Sequence, residues 1–521
     1  MPRRLRTAIA TLLALVMLGS GCADEETTPP VSGTPSRPTL DPAYRASGYM
    51  AAGDVFVQLF EWKWTDVASE CENVLGPLEF RAVQVSPPQE HILHSGFPWW
   101  QRYQPVSYGI DRSRSGTGVE FVQMVERCRA AGVDIYVDAV INHMTAGAGT
   151  GSDGTVYTKY HYPGLYTQAD FHPPCVVDDY QDAADVQDCE LFGLADLHTG
   201  KAEVGQRIAD YLTGLVRLGV AGFRLDAAKH IQPVELDAIL DLVNEAVREE
   251  GLPLPYIFAE VIDPGSEAVK AEDYYGLGYG SGGAADITEF RFRGIVDKFA
   301  GTNGQQLADL AQSSAAAWGL MPDDKAVVFV ENHDTQRDGG GIGYRDGDVY
   351  RLANVWMLAQ PYGYPKVMSS YAFDLGRPGG RDAGPPSDAS GATLDVSCAA
   401  SLETATLGEW VCEHRDPAIA GMVAFRRAVA GTGISEWWDN GANAIAFSRG
   451  DRGFVALSLE DTTVAVDVAC PLPPGTYCDA LTGGREGGAC AGRSIVVGAD
   501  GRVQLDLEAG TAVAIHVGTR L

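Results

Sequence analysis

The sequence has few basic residues for its length. It contains 39 lysines and arginines against 69 aspartates and glutamates, which gives a formal net charge of −30. Such a field repels the phosphates of nucleic acids and of anionic membrane surfaces, so neither class of partner is expected. A neutral polymer such as a polysaccharide is compatible with this charge. The composition therefore leaves uncharged substrates open.

A long apolar segment is also missing at the N-terminus, where residues 8–18 are apolar but too short for a membrane span of about 20 residues. Three arginines, Arg3, Arg4 and Arg6, precede this segment, and the small residues LGSGC follow it. That order is typical of an export signal. We therefore predict a signal peptide over residues 1–22.

A polar segment rich in proline, threonine and serine follows, and we interpret residues 23–48 as a linker. The small residues that end in Cys22 resemble a bacterial lipoprotein signal, which implies a lipid anchor at Cys22. Gly19 departs from that pattern, because lipoprotein signals usually carry an aliphatic residue three positions before the cysteine. The alternative is plain secretion with an incidental Cys22.

At 521 residues the chain is expected to form two or three domains. Eight β-type runs alternate with segments of helical periodicity such as 120–132, 204–219 and 233–250, and this alternation predicts a parallel (β/α)8 TIM barrel. The eight runs cover residues 55–60, 82–85, 134–140, 222–226, 256–261, 287–290, 326–332 and 367–371.

Two segments depart from this alternation. Residues 143–203, after the third run, have little helical periodicity and are predicted to form a separate excursion. Residues 430–521 consist of short alternating strands with turn signals, which predicts an antiparallel β-sandwich or Greek key domain. The barrel is therefore assigned to residues 49–429, interrupted by 143–203.

Three of the β-type runs end in acidic residues, Asp226, Glu260 and Asp334, and the third run ends in Asn142 and His143. Catalytic residues of a TIM barrel lie at the C-terminal ends of its strands. Carboxylates delivered there by separate strands can cleave a glycosidic bond. The alternative for any single acid is a solvated cap of a strand or helix.

Strand alternation gives a second argument, since side chains two positions apart on a strand share a face. Arg224 then points the same way as Asp226, and Asn332 the same way as Asp334. Each strand would thus carry a polar inner face. The alternative is a structural Arg–Asp pair, because buried charges need partners.

Five segments closely resemble the α-amylase family of glycoside hydrolases (family 13), and the resemblance runs from about residue 50 to the C-terminus. It is closest to the chloride-dependent animal-type enzymes and their actinobacterial relatives. The segments are PWWQRYQPVSYGI (98–110), DAVINHMTAG (138–147), VDDYQDAADVQDCELFGLADL (177–197), PKVMSSYAF (365–373) and WVCEHRDP (410–417). The excursion at 143–203 corresponds to domain B of that family.

The resemblance implies a retaining mechanism with three acids. Asp226 is the expected nucleophile, Glu260 the general acid and then the base, and Asp334 the group that bonds the distorted sugar ring. Substrate-binding roles are implied for twelve further residues: Trp99, Trp100, Tyr103, Gln104, His143, Tyr180, Leu191, Leu194, Arg224, Lys229, Ile262 and His333. The run GGGIG at 339–343 matches the mobile glycine-rich loop of the family more loosely.

One structural calcium ion is implied where the excursion meets the barrel. Asn142 and Asp196 would supply side-chain oxygens, whereas Gln187 and His230 would supply backbone carbonyls. Ligation by oxygen alone suits Ca2+.

A chloride ion is implied behind the catalytic acids, held by Arg224, Asn332 and Lys366. Lys366 stands where relatives carry arginine, so it offers a point charge instead of a bidentate fork, and weaker binding is expected. The alternative is that Lys366 pairs with a carboxylate.

Ten cysteines in an exported protein predict disulfides, whose pairing the sequence alone leaves open. The resemblance implies Cys71–Cys128, Cys175–Cys189, Cys398–Cys412 and Cys478–Cys490. Lipidation would use Cys22, and Cys470 has no expected partner.

These inferences predict an extracellular α-amylase, secreted or anchored at the bacterial cell surface, that cleaves internal α-1,4 bonds of starch, glycogen or maltooligosaccharides. We expect a monomer. Two alternatives are an exo-acting or transglycosylating relative and a glycan-binding lipoprotein on an inactive scaffold. The presence of all three acids argues against the second.

Overall fold

The computed structural model describes residues 53–278, 284–311, 317–338 and 341–521. The predicted signal peptide, the linker and Cys22 lie outside these residues. Eight parallel strands close into a barrel: β1 Phe56–Leu59, β2 Ala82–Val85, β3 Asp134–Ala139, β4 Gly222–Leu225, β5 Tyr256–Ala259, β6 Ala284–Thr288, β7 Ala326–Val328 and β8 Tyr364–Ser369. The predicted barrel is confirmed.

The strands follow one another around the barrel in chain order, and β8 closes it against β1. Most observed strands are shorter than predicted because the chain turns away at the rim. β6 and β8 each begin three residues before the predicted start, since the pairing Tyr256↔Ala284 extends β6 and the pairing Val327↔Tyr364 extends β8 backwards.

Nine α-helices occur in the described residues: α1 Trp64–Glu70, α2 Gly118–Ala130, α3 Ala183–Asp188, α4 Ala202–Arg217, α5 Pro233–Glu249, α6 Phe292–Val296, α7 Thr335–Asp338, α8 Asp348–Ala359 and α9 Pro417–Ala428. Local signals fix where several of them begin. Thr117 and Glu120 form a capping box at α2, and Pro233 occupies the first turn of α5. None of the helices in the described part of the chain is long and apolar enough to cross a membrane.

The inside of the barrel is layered. The lower layer is aromatic, with Phe56, Tyr136, Tyr256, Phe258 and Tyr364 packed edge to face or tilted against one another. Two residues further along the strands the inward positions become polar. This polar layer consists of Gln58, Gln84, Asp138, Arg224 and Lys366, all of them buried. An aromatic floor under buried charges keeps their surroundings at low dielectric.

The excursion after β3 contains two short strands, Gly149–Thr150 and Val156–Tyr157, the helix α3 and several turns. It packs its own aromatic residues, such as Tyr162 and Phe171, against the main core. The bridge His143↔Asp196 brings its two ends together at the rim of the barrel.

The C-terminal part forms two antiparallel four-stranded sheets, as predicted. Its strands are β9 Ile434–Asp439, β10 Ala444–Arg449, β11 Gly453–Ser458, β12 Val464–Ala469, β13 Gly475–Cys478, β14 Ser494–Val497, β15 Arg502–Leu507 and β16 Ala512–His516. One sheet has the order β9-β10-β11-β16 and the other β12-β15-β14-β13. Residues of both sheets, such as Phe454 and Val503, share one apolar cluster. The sheets therefore pack as a sandwich.

The four expected disulfides are confirmed: Cys71–Cys128, Cys175–Cys189, Cys398–Cys412 and Cys478–Cys490. Cys470 is free and buried.

Candidate active site

A cavity of about 500 Å³ opens at the C-terminal ends of the barrel strands. The three predicted acids, Asp226, Glu260 and Asp334, line it together. Ten of the twelve predicted substrate-binding residues also line it: Trp100, Tyr103, Gln104, His143, Tyr180, Leu191, Leu194, Lys229, Ile262 and His333. The remaining two, Trp99 and Arg224, do not line the cavity and lie behind the residues that do.

Arg224 holds two of the acids from below. Its Nη1 atom lies 2.6 Å from Oδ1 of Asp226, and its Nη2 atom lies 2.5 Å from Oε1 of Glu260. Nη1 also contacts Oδ1 of Asp138 at 2.7 Å. Strand β4 ends at Leu225, so Asp226 directly follows the strand that carries this guanidinium. One planar fork thus fixes the relative position of Asp226 and Glu260.

A strained residue completes the hold on Glu260. Ala227 has a φ of 48°, in the left-handed region that non-glycine residues rarely adopt. Its backbone N–H donates to Oε2 of Glu260 at 2.9 Å. Strain of this kind is retained where the surroundings fix the backbone, which is common at functional sites.

Asp334 reaches the cavity by a turn, and here the strand argument was wrong. β7 ends at Val328, so Asn332 and Asp334 are not on an extended strand with a shared face. Oδ1 of Asn332 accepts the N–H groups of Asp334 and Thr335 at 3.0 and 2.8 Å. This side-chain cap bends the chain into α7 and turns Asp334 towards the cavity.

The acids share one electrostatic environment. Burial raises the pKa of Asp138, of Asp226 and of Asp334, the last to about 7, and nearby carboxylates such as Glu260 add to the rise. The Arg224 guanidinium opposes the rise at all three residues. Burial in this cluster therefore favours the protonated forms of Asp138, Asp226 and Asp334 more than water does.

Two histidines border the acids, and both are neutral. Burial lowers the pKa of His143 to about 4, and burial followed by the positive charge of Arg224 lowers the pKa of His333 well below its usual range. His143 Nε2 lies 3.0 Å from the carbonyl oxygen of Tyr103. The ring of His333 is stacked between Phe60 and Tyr103, with centroid distances of 4.9 and 5.2 Å.

The aromatic wall is held by the long loop that follows β8. Trp99 Nε1 donates to the carbonyl of Arg381 at 2.9 Å, and Trp100 Nε1 donates to Asp382 at 3.0 Å. Tyr103 donates to Oδ2 of Asp138 at 3.0 Å. Trp99 packs edge-on against Tyr103 at 5.6 Å, so it supports the wall without lining the cavity.

Lys229 forms the opposite edge. Its ammonium lies 4.8 Å from the centre of the Tyr180 ring, donates to the carbonyl of Ile262 at 2.8 Å and pairs with Glu267. Tyr180, from the excursion, and Lys229 and Ile262, from the barrel, are joined in this way into one surface.

Sequence reasoning missed Phe192, Glu267 and Ala146, which also line the cavity. Phe192 is 86% exposed and has a φ of 52°. An exposed aromatic in a strained loop beside a cavity is suited to stacking on a sugar ring. The only sequence signal was an aromatic residue followed by glycine in a non-periodic segment.

The four expected calcium ligands belong to the junction between the excursion and the barrel. Asn142 and Asp196 are buried, and Asn142 Nδ2 lies 3.4 Å from Oδ1 of Asp196. Gln187 lies on α3, and the ring of His230 binds the carbonyl of Val186 at 2.8 Å, so this ring is engaged within the protein. Burial raises the pKa of Asp196 to about 7, against the effect of His172. Nδ1 of His172 lies 2.7 Å from Oδ2 of Asp196, so a cation at this junction would share this carboxylate with His172.

The three expected chloride ligands are all buried. The alternative was that Lys366 pairs with a carboxylate. Its Nζ instead donates to the amide oxygens of Gln58 and Gln84, at 3.1 and 3.4 Å, and to no carboxylate of the described residues. Burial, followed by repulsion from Arg224, lowers the pKa of Lys366 to about 7. With Oδ1 of Asn332 occupied, its Nδ2 amide is the end that can face an anion.

The glycine-rich segment is described only from Gly341 onwards, since 339 and 340 lie outside the described residues. Gly341 has a φ of 95°, and a Cβ there would lie 2.5 Å from Arg293 Nε. The positive φ favours glycine at this position, whereas the Arg293 side chain is flexible and could shift away from a Cβ.

Two family models match the chain. Residues 101–361 match the catalytic domain of α-amylases, and residues 437–518 match the C-terminal all-β domain of α-amylases.

Individual proteins are similar over most of the chain. An α-amylase of Tribolium castaneum is 43% identical over 487 residues, which is 91% of this chain and 96% of that protein. An α-amylase of Thermomonospora curvata is 44% identical over 521 residues, covering 98% of this chain and 79% of that protein. The crystal structure of an Eisenia fetida α-amylase I mutant in complex with maltohexaose has a TM-score of 0.83 and 38% identity, covering 91% of this chain and 99% of that one.

Proposed function

The chain belongs to the α-amylase family of glycoside hydrolases and is an enzyme of that family, and from this premise we propose that it cleaves internal α-1,4-glucosidic bonds of starch or glycogen with retention of configuration. The observation that carries the proposal is the pairing of Asp226 and Glu260 on the single guanidinium of Arg224, at 2.6 and 2.5 Å. Retaining enzymes place their two carboxyl groups only about 5–5.5 Å apart, whereas inverting enzymes need about 6.5–9.5 Å. Because one guanidinium contacts both carboxyl groups, the shorter distance of a retaining enzyme is favoured.

In the first step, Asp226 attacks the anomeric carbon while Glu260 gives its proton to the glycosidic oxygen, so that the bond to the leaving chain breaks. In the second step, Glu260 takes a proton from water, and the water oxygen displaces Asp226 from the anomeric carbon. Arg224 favours the ionised form of Asp226 before it attacks and after water displaces it. Asp334 and His333 would bond the hydroxyls of the distorted sugar.

The test combines the products with their stereochemistry. Long amylose should yield a broad mixture of intermediate maltooligosaccharides early in the reaction, and proton NMR should show the α-anomer forming first. Release of a single short product from the start would indicate an exo-acting enzyme, and products longer than the substrate would indicate transglycosylation. First appearance of the β-anomer would contradict retention.

We propose one structural calcium ion held by the Asn142 and Asp196 side chains and the Gln187 and His230 carbonyls. Its support is the burial of Asp196 beside Asn142 at the junction. Such an ion would tie the excursion, which carries Tyr180, Leu191 and Leu194, to the barrel.

Removal of calcium should lower the melting temperature and the activity together, because binding to the folded state adds stability. At calcium 1,000-fold above the Kd the contribution is about 4 kcal/mol. Calorimetry and starch hydrolysis after treatment with EDTA and dialysis measure both effects, and calcium, but not magnesium, should restore them. Asp196→Asn provides the control, since EDTA should shift its melting temperature less. An unchanged wild-type melting temperature would contradict the site.

We further propose that chloride binds Arg224, Asn332 and Lys366 and activates the enzyme. An anion there offsets two buried cations near Glu260 and thereby favours the protonated general acid.

Without chloride, the activity optimum should move to lower pH. Activity should be recorded against pH in chloride-free buffer, with NaCl, and with sodium sulfate at matched ionic strength. Identical profiles in all three would contradict chloride activation.

Because the pKa of Lys366 is lowered to about 7, chloride binding should depend on pH. The ammonium form binds the anion, so above pH 7 chloride binding must also take up a proton. The chloride activation constant should be nearly flat below pH 7 and weaken by about tenfold per pH unit above it. Lys366→Arg, which stays cationic, should remove this pH dependence, and Lys366→Gln should remove the response to chloride.

We propose an extracellular monomer. Four disulfides in the described chain support folding in an oxidising compartment. Export by residues 1–22 and a lipid anchor at Cys22 remain predictions.

A further inference from the structure

Lys366 also orients two amide side chains inside the barrel. Its Nζ lies 3.1 Å from Oε1 of Gln58 and 3.4 Å from Oε1 of Gln84, and all three side chains are buried. In its ammonium form Lys366 has only donors, so each amide then turns its oxygen towards Lys366 and its NH2 group away from it. The ammonium of Lys366 therefore fixes the orientation of both amides.

The two NH2 groups face different partners. Gln84 Nε2 donates to Oδ2 of Asp138 at 3.3 Å, on the side of Arg224. Gln58 Nε2 lies 3.1 Å from Nδ1 of His333. An amide NH2 can only donate, so Nδ1 of His333 must accept and the ring proton must be on Nε2.

The other side of the ring agrees with this tautomer. Nε2 of His333 lies 3.3 Å from Oδ2 of Asp334, where a donor on Nε2 is favourable when Asp334 is ionised. Stacking between Phe60 and Tyr103 restrains the plane of the imidazole. Burial and the nearby cations keep it neutral.

We propose that Gln58 is a positioning residue, which, oriented by the ammonium of Lys366, holds His333 as the neutral tautomer with its proton on Nε2. His333 then donates to Asp334 or to a sugar hydroxyl beside the scissile bond. The second half of this statement rests on the proposed function, whereas the tautomer itself does not.

The tautomer matters because a preorganised donor stabilises charge that develops in the transition state, and removal of one such donor typically lowers kcat by about 10²- to 10³-fold. With the proton on Nδ1, His333 would turn a lone pair towards Asp334 and the substrate. The donor would be lost although every side chain remained in place.

The test uses the full-length enzyme labelled with ¹⁵N-histidine, and the His333 signals are assigned by comparison with His333→Gln. Wild type should show a protonated Nε2 and an unprotonated Nδ1. Gln58→Glu has nearly the same shape and still accepts from Lys366, but turns an acceptor towards Nδ1. In this variant Nδ1 should become protonated and kcat on starch should fall by about 10²-fold, with a smaller change in KM.

Gln84→Glu is the matched control. It makes the same chemical change on the other amide bound to Lys366, and it should leave the ¹⁵N pattern of His333 as in wild type. Should Gln58→Glu not fold, Gln58→Met removes the donor without adding charge, and His333 should then show protonation on Nδ1 in part of the molecules.

A wild-type ring protonated on Nδ1 or on both nitrogens would overturn the proposal. So would an unchanged His333 pattern in a folded Gln58 variant, or the same shift in Gln84→Glu. A confirmed tautomer in a protein that does not hydrolyse starch would instead overturn the proposed function alone.

Discussion

Replacement of Asp226 by asparagine should lower kcat on starch by about 10⁴-fold or more, with the fold and starch binding retained. The amide keeps the shape of the side chain but cannot form the covalent glycosyl intermediate. Arg224 still contacts Asp138 and Glu260 in this variant, so the buried guanidinium keeps its partners. Activity on soluble starch, the melting temperature and retention on a starch affinity gel measure the three properties.

Asp263→Asn provides the matched control. Asp263 is another buried carboxylate just beyond β5, but it accepts N–H groups from Gly265 and Ala271 and does not line the active-site cavity. Its replacement should change kcat by no more than a few-fold. An Asp226→Asn enzyme with a tenth of wild-type activity would rule out Asp226 as the nucleophile.

Replacement of Glu260 by glutamine should lower kcat on starch by about 10²- to 10⁴-fold, the range expected when a general acid is lost. The loss should depend on the leaving group. An aryl maltooligosaccharide with an acidic phenol needs little protonation, so its first step should be nearly preserved. Hydrolysis should then stall at the covalent intermediate, because no base activates water.

Azide separates the two acids, because it is a nucleophile that needs no base. With Glu260→Gln it should accelerate turnover of the aryl substrate and give an α-glycosyl azide. With Asp226→Ala it attacks the substrate directly and should give a β-glycosyl azide. The opposite stereochemistry of the two azides would mean that the roles of Asp226 and Glu260 are exchanged. Equal loss of activity on starch and on the aryl substrate in Glu260→Gln would mean that Glu260 is not the general acid.

The barrel and the positions of its acids were predictable because their signals are local. Asp226 and Glu260 each directly follow a short apolar run, and the ends of parallel strands meet at one rim. The disulfides required the family resemblance, because spacing alone leaves the pairing of ten cysteines open.

The rest of the site depends on contacts that no local pattern contains. Gln58 and His333 are 275 residues apart in the chain, and Gln58 and Lys366 are 308 apart. A glutamine within the apolar run VFVQLF was a visible sign of a polar inner position, but not of its partners. Asp334 was assigned to an extended strand because the apolar run continues past Val328, although the Asn332 cap bends the chain there.

The disulfide Cys175–Cys189 closes a loop that carries both Tyr180, on the wall of the cleft, and Gln187, beside the expected calcium. A disulfide that closes a loop of this size lowers the conformational entropy of the unfolded chain, which stabilises the folded state by about 3 kcal/mol. We therefore expect production in a reducing cytosol to lower the stability of the segment that carries Tyr180 and Gln187. At equal yields of soluble protein, we expect the preparation from an oxidising host to have the higher specific activity.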